Sequence, residues 1–180
     1  MQKIIPSNTG QPAQTAPTIV TVGHSNYGIS TFLERLTAAE VRVLIDVRSL
    51  PFSRYCPQFN RRSLEQSVPA AGLGYVLAGE YLGGKSAVSV HDPRFAAEIE
   101  HVVSLSKSAG RIALMCAERE PSQCHRATKL AAYILRHRPG VKIAHLLHDG
   151  SLTDAAEYES GINPRDLWHE LHEAGYGQLF

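Results

Sequence analysis

Two cysteines, a histidine and an arginine fall close together in the segment Met115 to Arg126, MCAEREPSQCHR. The thiolate is the reactive form of cysteine, and a helix N-terminus or a neighbouring cation favours it. Ser122 is a good helix N-cap with Pro121 before it, which predicts Cys124, His125 and Arg126 in or near a first helical turn. Main-chain N–H groups there carry the positive end of the helix dipole and suit a phosphate or carboxylate. Arg126 adds a bidentate fork for the same anion. Four readings of Cys116 and Cys124 stay open: packing as small hydrophobes, a metal set completed by His125, nucleophilic or redox chemistry in which one sulfur resolves the other, and a spectator role beside a bound anion. The spacing is not a CxxC pair and no second pair exists, so no metal site is assigned.

Further polar groups end other apolar runs. His24 and Ser25 follow the run TIVTVG, and Asp46 and Arg48 close the run VRVLIDVR. Asp46 either satisfies main-chain N–H groups or fixes the Arg48 guanidinium before a ligand arrives. His24 is an acid/base candidate by its near-neutral titration, or caps a turn. Glu118 is placed to orient His125 or an arginine. The stretch Pro51 to Arg62 interleaves Arg54, Arg61 and Arg62 with Phe52, Tyr55 and Phe59. That mixture suits phosphates and stacked bases. Its alternative is a loop that folds its aromatics onto the core and leaves the arginines solvated. Cys56 is the least motif-like cysteine.

The elements that must position these groups follow from the apolar pattern. Short runs at Thr18–Val22, Val41–Val47, Gly74–Leu77, Arg111–Cys116 and Val141–Leu147 read as strands, several buried on both faces. Helices are expected over Ile29–Ala39, Ser63–Ala71, Pro93–Ser108, from Pro121 to about His137, and over Pro164–Glu173. Tyr81 to Gly84 reads as a turn. Alternating strands and helices predict an α/β fold, one domain over 18–180 with a mostly parallel sheet flanked by helices, after a flexible tail over 1–17. Ligands of such sheets bind beyond the strand C-terminal ends, which gathers the polar groups above into one expected pocket. The chain has 180 residues, net charge +1, 43% hydrophobic and 19% charged residues and three cysteines. It therefore reads as a globular protein with no disulfide framework, no membrane span and no global field for nucleic acid, and a cytoplasmic location is expected.

TVGHSN, LIDVRSLPFSR, PQFN, YLGG and LMCAEREPSQCHR together resemble the domain-of-unknown-function family numbered 488, over nearly all of Thr18 to Phe180. The resemblance implies an intracellular α/β domain whose recurring residues match Gly23, His24, Ser25, Asp46, Arg48, Ser53, Arg54, Gly83, Gly84, Cys116, Glu118, Cys124, His125 and Arg126. It names no activity. The order strand, cysteine, loop, arginine, helix is also similar to the layout of rhodaneses and cysteine phosphatases, but the loop from Cys116 to Arg126 is about twice as long as theirs, and Glu118 and Glu120 would repel an anion.

The leading expectation is an anion pocket for a phosphate-bearing small molecule or nucleotide. Ser25, Arg48, Ser53, Arg54 and Arg126 would bind there, with His24, Cys116, Cys124 and His125 as catalytic candidates. Whether the chain is an enzyme stays open, as do its cofactor and oligomeric state. The alternatives are a non-catalytic nucleic-acid-binding module using the loop from Arg48 to Arg62, and a thiol redox or metal-binding domain.

Overall fold

A computed structural model describes residues 18–158; the expected tail over 1–17 and helix over 164–173 lie outside these residues. The aliphatic runs become β1 (Ile19–Gly23), β2 (Val43–Asp46), β3 (Gly74–Leu77), β4 (Ile112–Cys116) and β5 (Ile143–Leu146), and a short β6 (Leu152–Asp154) follows. They form one six-stranded sheet in the order β3-β2-β4-β1-β5-β6, parallel except for β6. This is the α/β class expected from the pattern. No apolar run marks β6, which carries a single polar-flanked Leu152.

Both faces of the sheet are covered, and its inner strands are apolar apart from Thr21, Asp46 and His145, which are buried as well. On one face α1 (Ile29–Ala38) and α2 (Arg61–Ala70) pack Phe32, Leu36, Leu64 and Val68 against Val20, Val22, Leu44 and Met115. On the other, α4 (Pro93–Ser108) lays Phe95, Ile99, Val102 and Val103 on Ile45, Ile112 and Leu114. The i, i+4, i+7, i+8 spacing of those four residues is one helical stripe. Asp92 caps α4, its side chain accepting from the Arg94 N–H, and Pro93 occupies the first turn, where its missing N–H costs nothing. Between β3 and α4, the expected turn at Tyr81 is a single helical turn, α3 (Gly79–Leu82), ending at Gly83.

The segment after β4 differs from its expected form. Pro121–Gln123 makes a 3₁₀ turn, Cys124 is extended, and the helix begins after it. The Cys124 carbonyl accepts from the Ala127 and Thr128 N–H groups, so Cys124, not Ser122, occupies the capping position. The first stretch, Arg126–Ala131, is wound as a π-helix and continues into α5 (Ala132–His137). Such π-turns recur at functional sites.

The chain leaves β1 towards β2 on one side and leaves β4 towards β5 on the other, while β1 and β4 are neighbours. Adjacent strands whose connections diverge open a crevice at their C-terminal ends. Gly23 and Cys116 are register partners at that point.

Candidate functional site

Two polar clusters meet at this crevice, one on each face of the sheet. Their separation follows from strand parity. Asp46 pairs with Met115, so Cys116, one residue on, points to the opposite face. Cys116 and Cys124 belong to the core layer beneath α4, whereas Phe59, which stacks on His24, belongs to the layer beneath α1 and α2.

The first cluster centres on Arg48. Its Nε donates to Asp46 Oδ1 at 2.8 Å and its second terminal nitrogen to Asp46 Oδ2 at 2.6 Å, a bidentate fork. That same nitrogen donates to the Phe59 carbonyl at 2.7 Å, and the other donates to His24 Nε2 at 3.0 Å. The Tyr75 hydroxyl completes Asp46 at 2.9 Å. His24 Nδ1–H donates to the Ser25 carbonyl at 2.8 Å. Both its nitrogens are thus engaged in the neutral form. Burial, then the Arg48 charge, pushes its pKa down to about 4. Ser25 adopts φ 47°, a left-handed conformation costly for a residue with a side chain. Burial and the Asp46 charge raise the Tyr75 pKa.

The second cluster is Cys116, Cys124 and His125. His125 Nε2 donates to the Val47 carbonyl at 3.0 Å, since a carbonyl can only accept. In the neutral ring Nδ1 is then a lone pair, 3.5 Å from Cys116 Sγ and 3.7 Å from Cys124 Sγ. The three ligand atoms lie within 4.8 Å of one another, and no other group of three such residues occurs among the described residues. Both sulfurs are buried and His125 is half-buried. The neighbouring Cys116 thiol favours the Cys124 thiolate, so the Cys124 pKa is pushed down and that of Cys116 up, and the Arg126 charge adds to the lowering at Cys124. Of the two glycines of YLGG, Gly84 makes room for this cluster and Gly83 for the chain at Ser49. A Cβ on Gly84 would stand 2.9 Å from His125 Nδ1, and one on Gly83 2.2 Å from Ser49 Oγ.

Arg126 braces the loop between β4 and the helix. Fully buried, it donates to the Glu118 and Arg119 carbonyls at 2.5 and 2.9 Å. That loop packs so tightly on β1 that a Cβ at Gly23 would meet the Glu118 carbonyl oxygen at 1.9 Å.

Residues 28–134 match a family model described as Domain of unknown function DUF488. The chain belongs to the DUF488 family. No curated protein and no solved structure matches it. In this DUF488 chain the matched span holds both cysteines, His125, Asp46, Arg48 and Arg126, while Gly23, His24 and Ser25 precede it.

Of the remaining expected residues, Glu118 contributes its main-chain carbonyl and leaves its carboxylate exposed. Ser53 and Arg54 stand on the loop after Arg48: Ser53 Oγ accepts from the Tyr55 and Cys56 N–H groups, and Arg54 is exposed. Cys56 lies 3.7 Å from the Ser25 carbonyl and joins neither cluster. Three participants were not foreseen. The Val47 and Phe59 carbonyls carry no sequence signal, because a main-chain acceptor is the same in every residue, and Tyr75 reads from the sequence only as a residue of the expected strand Gly74–Leu77. Lys129 is also buried, its Nζ 3.4 Å from the Gly83 carbonyl and its pKa lowered by burial. Its place on the helical stripe facing the core was readable; its lack of an acidic partner among the hydrogen bonds found was not.

Proposed function

We propose that this DUF488 chain is a metalloprotein in which Cys116, Cys124 and His125 bind one divalent cation of the zinc class. The carrying observation is His125 Nδ1, held as a lone pair against both sulfurs at 3.5 and 3.7 Å. Zinc bonds of roughly 2.0–2.1 Å to nitrogen and 2.3 Å to sulfur, meeting near the tetrahedral angle, separate N and S by about 3.6 Å. The nitrogen therefore stands almost at its liganded spacing from each sulfur, and all three donor atoms lie within 4.8 Å of one another. The Val47 carbonyl on Nε2 is the outer partner that metal-binding histidines use to fix tautomer and ring orientation. A dication also offsets the cost of burying two thiolates.

Three protein ligands leave a fourth position, the pattern of zinc sites that exchange water or substrate. A cation there can polarise a carbonyl or phosphoryl oxygen or activate water. This gives a phosphate-bearing ligand a receptor other than the arginines. Arg48 spends its donors on a carboxylate, a histidine and a main-chain carbonyl, and Arg126 gives both terminal nitrogens to main-chain carbonyls and keeps only a buried Nε unpartnered, so they support an anion site less well.

A second reading uses the same residues without metal. The lowered Cys124 and raised Cys116 thiols form a thiol–thiolate pair. Cys124 thiolate would attack a disulfide or peroxide and displace a thiolate or hydroxide, and Cys116 would then close the internal S–S bond and release the group held on Cys124, two electrons and the one proton of Cys116 passing to the oxidant.

Metal analysis of protein produced with zinc, together with thiol titration, separates the readings. The metalloprotein reading expects about one zinc per chain, lost in Cys116→Ser, Cys124→Ser and His125→Ala. A wild-type chain that takes up no zinc, and whose thermal transition zinc leaves in place, overturns it. Loss of two thiols from that metal-free chain on mild oxidation would then favour the redox reading.

A further inference from the structure

Five large hydrophobic residues are exposed among the described residues, and three of them, Leu50, Phe52 and Tyr55, stand in one short stretch after β2. The stretch had two readings from sequence, and they differ in where its aromatics go. Phe59 does fold inward, fully buried on His24, but Phe52 is 63% and Tyr55 79% exposed. Burying them costs nothing sterically demanding in a slack loop, so their exposure needs a cause.

The loop is not slack. Asn60 Oδ1 accepts from the Ser53 N–H at 2.6 Å, Ser53 Oγ accepts from two following N–H groups, and the Arg61 N–H donates to the Pro51 carbonyl at 2.9 Å. This frame holds the two rings outward before any partner arrives, which lowers the ordering cost of binding. A cleft of about 590 Å³ opens beside it, lined by Leu50, Phe52, Asn60, Arg61, Arg62 and Gln66 among others. The charge around it is mostly positive. Arg54, Arg61 and Arg62 are exposed; Glu65, paired with Arg61, is the one acid nearby in the stretch 48–66. The Arg54 guanidinium lies over the Tyr55 ring, 4.8 Å from its centroid.

We propose that this surface binds single-stranded nucleic acid, its bases stacking on Phe52 and Tyr55 and its phosphates meeting Arg54, Arg61 and Arg62. Exposed ring faces beside arginines are how sequence-tolerant single-strand binders work. An acidic peptide would satisfy the arginines but would not need rigid, outward rings. A duplex hides its base faces and fits the charge alone. The proposal is independent of the metal reading, since none of these residues belongs to that cluster.

The test is fluorescence anisotropy with labelled oligouridine and oligothymidine of about 12 nucleotides, with a duplex of equal length and a poly-glutamate peptide as comparators. Binding should favour the single strands and weaken between about 50 and 200 mM salt with a log–log slope near −2, three arginines at about 0.7 each. Phe52→Ala with Tyr55→Ala should weaken it roughly tenfold or more and keep the slope. Arg54→Gln with Arg62→Gln should flatten the slope. Cys124→Ser should bind as wild type, which keeps this outcome separate from that of the metal site. All these loop positions are exposed, so the thermal transition of each variant should stay near wild type. Duplex or poly-glutamate binding as well as the single strands, no binding at about 50 mM salt, or ring variants that bind as wild type would overturn the proposal.

Discussion

His125 reaches across the sheet edge to the Val47 carbonyl, 3.0 Å from its Nε2, and so turns Nδ1 onto Cys116 and Cys124. One main-chain acceptor at the end of β2 thereby sets which nitrogen can bind a metal or accept a proton at the end of β4. Gly84 closes the ring's other side. Gly84→Ala would put a methyl 2.9 Å from Nδ1 and 3.3 Å from the His125 Cβ, so the ring must shift. The expected result is a zinc affinity lowered about 10- to 100-fold, the usual cost of disturbing a ligand's support. The metal-free protein should lose about 1–3 kcal/mol from overpacking. Competition with a chromogenic chelator and urea unfolding measure the two effects. Unchanged zinc affinity would mean that Gly84 does not hold the ring.

In metal-stripped protein Cys124 should behave as a thiolate at neutral pH. Its pKa is pushed down, chiefly by the neighbouring Cys116 thiol. Cys116→Ala removes that thiol and should raise it. Alkylation rate against pH, measured in a Cys56→Ser background, reports the change. A wild-type profile already flat around neutral pH and a variant profile that still climbs towards the ordinary thiol pKa are expected. Identical profiles would show that Cys116 does not favour the Cys124 thiolate.

His145 is a second buried titrating group, in the middle of β5. Its Nδ1 meets Thr21 Oγ1 at 2.7 Å, and burial lowers its pKa to about 4. The unfolded value is 6.5, so between about 4 and 6.5 the unfolded chain binds the extra proton. Stability from this group is therefore full above pH 6.5 and falls as pH drops through that window. The loss is on the order of 3 kcal/mol. His24 titrates with the same sign over the same window. Urea midpoints at neutral and acid pH should differ less for His145→Gln than for wild type. An equal acid loss in the variant would place the effect elsewhere.

How the sequence foretold these features depends on which atoms carry them. The strands were legible because VLID, IALMC and IVTVG are near-continuous apolar runs, as a sheet covered on both faces requires. The convergence of Gly23, Asp46 and Cys116 at one edge followed from the parallel order. Their division between two faces was also latent there, in the register of β2 against β4, but register needs the partner strand and not the run alone. The Cys124 position was misjudged because Pro121-Ser122 is a strong helix-start signal. In the fold that signal makes a 3₁₀ turn, and the helix waits until after Cys124. The spacing rules for metal sites gave Cys116 and Cys124 little weight. They describe ligands on one hairpin, whereas here a strand end and a helix start supply one sulfur each.

Arg48 offers the sharpest choice between a structural pair and a ligand fork. Its side chain makes four hydrogen bonds, to both Asp46 oxygens, the Phe59 carbonyl and His24, while both members of the pair are buried. Lysine keeps the charge but carries its donors at one point and lacks the planar fork. Arg48→Lys therefore leaves acceptors unpaired in the core, and Asp46→Asn leaves the guanidinium without its counter-charge. Breaking a buried pair on one side costs about 3–5 kcal/mol. For a chain of this length that lowers the melting temperature by roughly 10 °C or more. Both variants should show this loss, and phosphate or nucleotide should protect wild type and variants alike or not at all. A variant that melts like wild type yet loses protection by phosphate would instead assign the fork to a bound anion. The two outcomes differ in which curve moves, so one thermal-shift series with and without phosphate decides between them.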